Sequence, residues 1–126
     1  MAKILLVDDE EEVRRVLGEL LTRAGHEVVV AADGEEGLRA FREHRPDLVV
    51  TDLLMPVRGG LSLIVEVREL DPGARVLAIS GGGPRGHLNF LETARALGDV
   101  ETLRKPFRRA ELLAAVNRAL GRAGEG

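Results

Sequence analysis

Short runs rich in Val, Leu and Ile alternate five times with segments of helical period, and that alternation leaves few folds open to the chain. The runs are Lys3 to Val7, Glu27 to Ala31, Asp47 to Thr51, Arg75 to Ser80 and Glu101 to Arg104. They are compact and lack strict polar alternation, which marks parallel strands covered on both faces; the second and fifth are the weakest. Between them the apolar spacing turns helical. Val13, Val16, Leu17, Leu20, Leu21 and Ala24 form one stripe that ends at Gly25. Leu38 with Phe41, Ile64 with Val67, Phe90 with Ala94 and Leu97, and the set Leu112, Leu113, Val116 and Leu120 supply four more. Strands joined through helices need right-handed crossovers, so the expected fold is a flavodoxin-like α/β three-layer sandwich. It has a five-stranded parallel sheet, order 2-1-3-4-5, and five helices.

Composition narrows the function classes. The chain has 126 residues, a formal charge of −3 and no Cys, Trp or Tyr. Cysteine chemistry is excluded, and a chain of this length buries enough surface to need neither disulfide nor structural metal. Mild acidity argues against nucleic acid as the main partner, and no apolar run approaches the ~20 residues that span a bilayer. Residues 1–120 are expected to form one cytoplasmic domain, with 121–126 a frayed tail and no output domain.

Four of the runs end in polar groups: Val7 into Asp8 and Asp9, Thr51 into Asp52, Ile79 into Ser80, and Arg104 into Lys105. Ligands of open α/β sheets bind outside the carboxyl ends of the strands, so these residues share one edge. In the order 2-1-3-4-5 the first and third strands are neighbours about 4.8 Å apart, which crowds Asp8, Asp9 and Asp52. Lys105 must then span about two strand spacings to reach Asp52, within the compass of its four-carbon stem. Only two lysines occur in the chain, against sixteen arginines. Lys105 therefore reads as selected for its chemistry.

Two carboxylates about 4 Å apart repel by on the order of 4 kcal/mol at an effective dielectric near 20, so one is protonated or a cation is held. An oxygen-only donor set at a solvent-accessible edge suits Mg²⁺ rather than Zn²⁺. Asp52 is best placed as a nucleophile toward phosphorus, with Lys105 and the Ser80 hydroxyl stabilising the phosphoryl oxygens.

These residues are similar to the motifs of a two-component response regulator receiver domain, over nearly the whole length. The matching features are the acidic pair in ILLVDDE, Asp52 with Met55 and Pro56 in DLLMP, Gly60, Ser80 followed by small Gly81, and Lys105 with Pro106 and Phe107 in KPF. The resemblance implies that Asp52 accepts a phosphoryl group from a phosphohistidine on a sensor histidine kinase or histidine phosphotransfer protein. It implies that Asp8, Asp9, Asp52 and the backbone carbonyl of Leu54 hold Mg²⁺. It further implies that Ser80 and Lys105 contact the phosphoryl group and switch a downstream protein-binding face made by the fourth helix, fifth strand and fifth helix. Three positions depart from the family pattern: Thr102 replaces the switch aromatic, Gly59 replaces an Asp, and Gly81 to Gly86 is longer and richer in glycine.

Singly, the residues have plainer readings. Asp9 with Glu12 has capping-box-like spacing, Ser80 fits a turn, and Lys105 before Pro106 fits a solvated helix entry. Gly81, Gly83 and Gly86 satisfy a dinucleotide-binding pattern, but on the fourth strand and with Pro84 removing a backbone donor. A Mg²⁺-dependent aspartyl-phosphate phosphatase would need a substrate cap and a leaving-group acid, and neither is found. A phosphorylation-independent binding module is the other alternative, motivated by Thr102 and Gly59. His26, His44 and His87 are expected at the surface, and Arg108, Arg109, Arg118 and Arg122 on the solvated side of the last helix.

Overall fold

The computed structural model describes residues 2–53, 59–80 and 100–121. In chain order they form β1 (Lys3–Val7), α1 (Glu11–Arg23), β2 (Glu27–Ala31), α2 (Gly34–His44), β3 (Leu48–Asp52), α3 (Gly60–Leu70), β4 (Val76–Ser80), β5 (Val100–Arg104) and α4 (Arg109–Ala119). The strands make one parallel sheet, as the alternation predicts, in the flavodoxin-like order β2-β1-β3-β4-β5. Four of the five expected helices fall among the described residues. The helix expected around Phe90, Ala94 and Leu97, the Gly81 to Gly86 stretch and His87 lie outside them, as do Leu54, Met55, Pro56 and Arg122.

Position in the sheet explains the texture of the runs. β3 and β4 are central and every residue in them is buried, so neither needs a polar face. β2 and β5 are the edges and are only partly covered, which is why their runs are less apolar. Along β1, Ile4 and Leu6 enter one apolar layer with Leu17 and Leu21 of α1 and Leu112 and Val116 of α4. Leu5 and Val7 enter the opposite layer with Leu38 and Phe41 of α2 and Leu63, Ile64 and Val67 of α3. Successive residues of a strand point to opposite faces, so the sheet carries both cores at once.

Local chemistry sets the helix ends, with some corrections to the expectation. α1 runs out at Ala24, and Gly25 takes a left-handed φ of 98° that ends the helix cheaply. Within the expected stripe Leu17 and Leu21 are buried, but Val16 is 42% exposed and Ala24 sits on the surface. The plainer reading of Asp9 with Glu12 as a capping box is not realised: Glu10 is the N-cap of α1 and gives no side-chain cap. Asp33 does cap α2, accepting the Glu36 N–H at 2.9 Å. Before α4, the Glu111 carboxylate accepts the Arg108 N–H at 2.7 Å. His26 and His44 lie at the surface as expected, partly covered, and His26 Nδ1 accepts the Ala2 N–H at 3.2 Å.

No described helix is long and apolar enough to cross a membrane.

Candidate functional site

Register brings the polar strand ends to one edge. Val7 pairs with Thr51 across β1 and β3, Asp52 with Ile79 across β3 and β4, and Ser80 with Arg104 across β4 and β5. The third strand lies one residue later than its apolar run, so Asp52 is itself the last residue of β3. Its neighbour Leu53 continues the ladder, donating its N–H to the Ile79 carbonyl at 3.0 Å.

At this edge one carboxylate oxygen from each of Asp8, Asp9 and Asp52 lies within 4.8 Å of the others. Asp8 and Asp52 are buried, at 2% and 7% exposure, whereas Asp9 is exposed. Lys105 Nζ is 3.6 Å from Asp52 Oδ2 and 3.9 Å from Asp8 Oδ2, so the ammonium spans β4 to reach the acids. The Lys105 N–H donates to the Ser80 carbonyl at 2.8 Å, which ties the end of β5 to the end of β4. The Lys105–Pro106 peptide is cis.

Three carboxylates against one ammonium leave the cluster with a net negative charge. Burial pushes the Asp8 carboxyl above its usual range. The Glu10 N–H opposes this, donating to Asp8 Oδ1 at 2.9 Å; the Asp52 charge adds to the rise, Lys105 lowers it, and Asp9 adds again. An all-oxygen set with this charge is suited to hold a hard divalent cation. Ser80 adds a further observation: its side chain is fully buried and its Oγ has no hydrogen-bond partner among the described residues. A buried hydroxyl without a partner is costly, and an anionic oxygen brought to this edge would satisfy it.

The site residues expected from sequence are thus divided. Asp8, Asp9, Asp52 and Lys105 are brought together, and Ser80 shares their edge. Thr102 lies mid-strand in β5, paired with Ala78, and Pro106 lines a neighbouring groove. Leu54 and Gly81 lie outside the described residues.

Two contacts were not foreseen. The Glu10 N–H on Asp8 is one, and the other is Arg14, whose guanidinium donates to the Asp8 carbonyl at 2.7 Å. Both involve backbone groups, which leave no trace in residue spacing.

The sequence model of the response regulator receiver domain matches residues 4–117. The chain belongs to the response regulator receiver family. This receiver is 32% identical over 117 residues to the chemotaxis protein CheY of Thermotoga maritima, covering 92% of this chain and 95% of that one. It is 37% identical to the transcriptional regulatory protein PrrA of Mycobacterium tuberculosis, covering 97% of this chain and 51% of the relative. Among solved structures, a receiver domain protein from Clostridium thermocellum superposes with a TM-score of 0.89 at 35% identity, over 98% of each chain. Membership places this receiver among the regulatory phosphoacceptors of two-component systems, for which phosphorylation and Mg²⁺ are typical.

Proposed function

We propose that Asp52 is the phosphoacceptor of this receiver and takes its phosphoryl group from a phosphohistidine on a sensor histidine kinase or a histidine phosphotransfer protein. The observation that carries this reading is the 3.6 Å distance from Lys105 Nζ to the buried Asp52 carboxylate, on the edge where the Ser80 hydroxyl has no partner among the described residues. A carboxylate oxygen of Asp52 attacks phosphorus, the P–N bond breaks, and the imidazole nitrogen leaves with the electron pair. Because the nucleophile is already anionic, no general base is required. Lys105 offsets charge on the equatorial phosphoryl oxygens, and the Ser80 hydroxyl donates to one of them.

Asp8, Asp9 and Asp52 would hold the Mg²⁺, joined in the family pattern by the carbonyl of Leu54. When bound, the ion supplies positive charge opposite the phosphoryl oxygens. A groove of about 430 Å³ borders the site, lined by Val13, Val16 and Leu17 of α1 with Pro106 and Phe107. Its apolar character and its place beside Lys105 fit the docking of a donor helix that presents the phosphohistidine to Asp52. On this reading residues 1–120 form the phosphoacceptor unit of a cytoplasmic protein, and its output passes through protein contacts that include β5 and α4.

Incubation with a small phosphodonor, followed by intact mass measurement, tests the reading. The expected result is a gain of one phosphoryl group with Mg²⁺, none with chelator, and none for Asp52→Asn. A variant that still acquires one acid-stable, base-labile phosphoryl group would overturn it. No gain under any condition would favour a phosphorylation-independent binding module.

A further inference from the structure

We propose that Arg14 is a positioning residue for the cation site: its guanidinium, bound to the Asp8 carbonyl, holds the β1–α1 loop so that Asp8 and Asp9 face Asp52 together. The inference rests on the assignment of Asp8 and Asp9 as cation ligands.

Besides its ion pair with Lys105, the Asp8 residue makes three hydrogen bonds. Its N–H donates to the Ala31 carbonyl of β2 at 3.2 Å, its Oδ1 accepts the Glu10 N–H at 2.9 Å, and its carbonyl accepts from Arg14 at 2.7 Å. The first ties the loop to the sheet and the second is internal to the loop. Only the third links the loop to the body of α1 through a side chain, and it is the shortest. This link matters because α1 lacks a side-chain N-cap, the device that ordinarily fixes chain entry into a helix.

Helix geometry explains why position 14 can do this. Side chains lean toward the N-terminus of their helix, so a long residue in the first turn lies back over the entering loop. The Arg14 N–H also donates to the Glu10 carbonyl at 3.0 Å, so backbone and side chain of one residue hold both ends of the loop. A cation in the first helical turn is disfavoured by the helix dipole. A local rule broken beside a candidate site calls for a compensating role. A guanidinium bond to a carbonyl is charge-assisted, and its planar fork sets direction as well as distance. Arg15, its neighbour, faces elsewhere and pairs with Glu12 on the surface.

The test compares Arg14→Ala, Arg14→Lys and Arg15→Ala with the native chain, by calorimetric titration with MgCl₂ and by amide hydrogen exchange without metal. For Arg14→Ala the expected results are Mg²⁺ binding weakened by about tenfold, as for other supports of metal ligands, and faster exchange of the Glu10 amide. Core amides such as Leu6 and Val50 should keep their protection. Arg14→Lys should recover part of both effects, and Arg15→Ala should stay within about twofold of the native affinity, which separates the contact from the loss of one positive charge. Unchanged Glu10 exchange in Arg14→Ala overturns the proposal. So does weakened binding in which all amides lose protection equally, since that marks general destabilisation. A native chain that binds no Mg²⁺ would instead refute the cation-site assignment, while the metal-free exchange would still decide whether Arg14 fixes the loop.

Discussion

At the scale of single residues, Asp8 is where the electrostatics are most exposed to test. Its carboxyl lies above the usual range in the folded protein, chiefly through burial, so the native state holds its proton more tightly than the unfolded chain does. The sign follows: its contribution to stability is fullest below the ordinary carboxylate pKa and falls as pH rises through the raised native value. In metal-free protein, Asp8→Asn should therefore raise the melting temperature at neutral pH, with the gain shrinking toward pH 4. Thermal melts across that range check it, and a gain independent of pH would contradict the burial argument. Lys105 was legible from the sequence because lysine is rare in this chain and this one directly follows a strand-like run. Arg14 was not, because it binds a backbone carbonyl and arginine is common here. Residue spacing can report side chains that meet side chains, but a bond to the main chain has no partner residue type to look for.

At the scale of elements, two helical glycines separate intrinsic propensity from packing. A Cβ on Gly18 of α1 would meet nothing within 4 Å, so Gly18→Ala should stabilise the protein by about 0.5–1 kcal/mol through helix propensity. A Cβ on Gly37 of α2 would lie 3.1 Å from Val7 Cγ2 and 3.2 Å from Leu63 Cδ2, inside the layer between α2 and the sheet. There the overpacking cost of about 1–3 kcal/mol should exceed the same gain, so Gly37→Ala should be destabilising. Urea unfolding of the pair decides, and equal shifts would show that α2 yields where the close contact says it cannot. The sequence reading was sharpest for the first two strands, whose limits coincide with the apolar runs. It was less sharp where polar residues are structural. Asp52 pairs in the ladder although it is a carboxylate, and Glu10 opens α1 although Asp9 has the better capping chemistry. Helical periodicity also drew the α1 stripe too wide, since Val16 faces the groove beside Lys105 rather than the core.

At the scale of the whole molecule, a parallel sheet with helices on both faces was legible from the alternation, whereas its strand order was taken from the flavodoxin-like pattern, which the structure matches. The strand ends then had only one edge on which to meet. That the four charged groups converge there carries a thermodynamic consequence. A cation that binds the native cluster but not the unfolded chain stabilises by mass action, about 2.7 kcal/mol at a hundredfold excess over Kd. For a domain of this size that is a rise in melting temperature on the order of 10 °C. Far-UV dichroism with MgCl₂ and with chelator should show it for the native chain and much less for Asp52→Asn; equal melting temperatures would show that the acids share no ion.

The span of Lys105 across β4 bears on protein synthesis as well. Its acidic partners are synthesised before it, and Lys105 follows Asp52 by 53 residues. A nascent copy that stops short of Lys105 therefore carries the acids without this counter-charge. Competence to receive a signal is in this sense an inspection stamp, issued only to chains in which β5 has found its place.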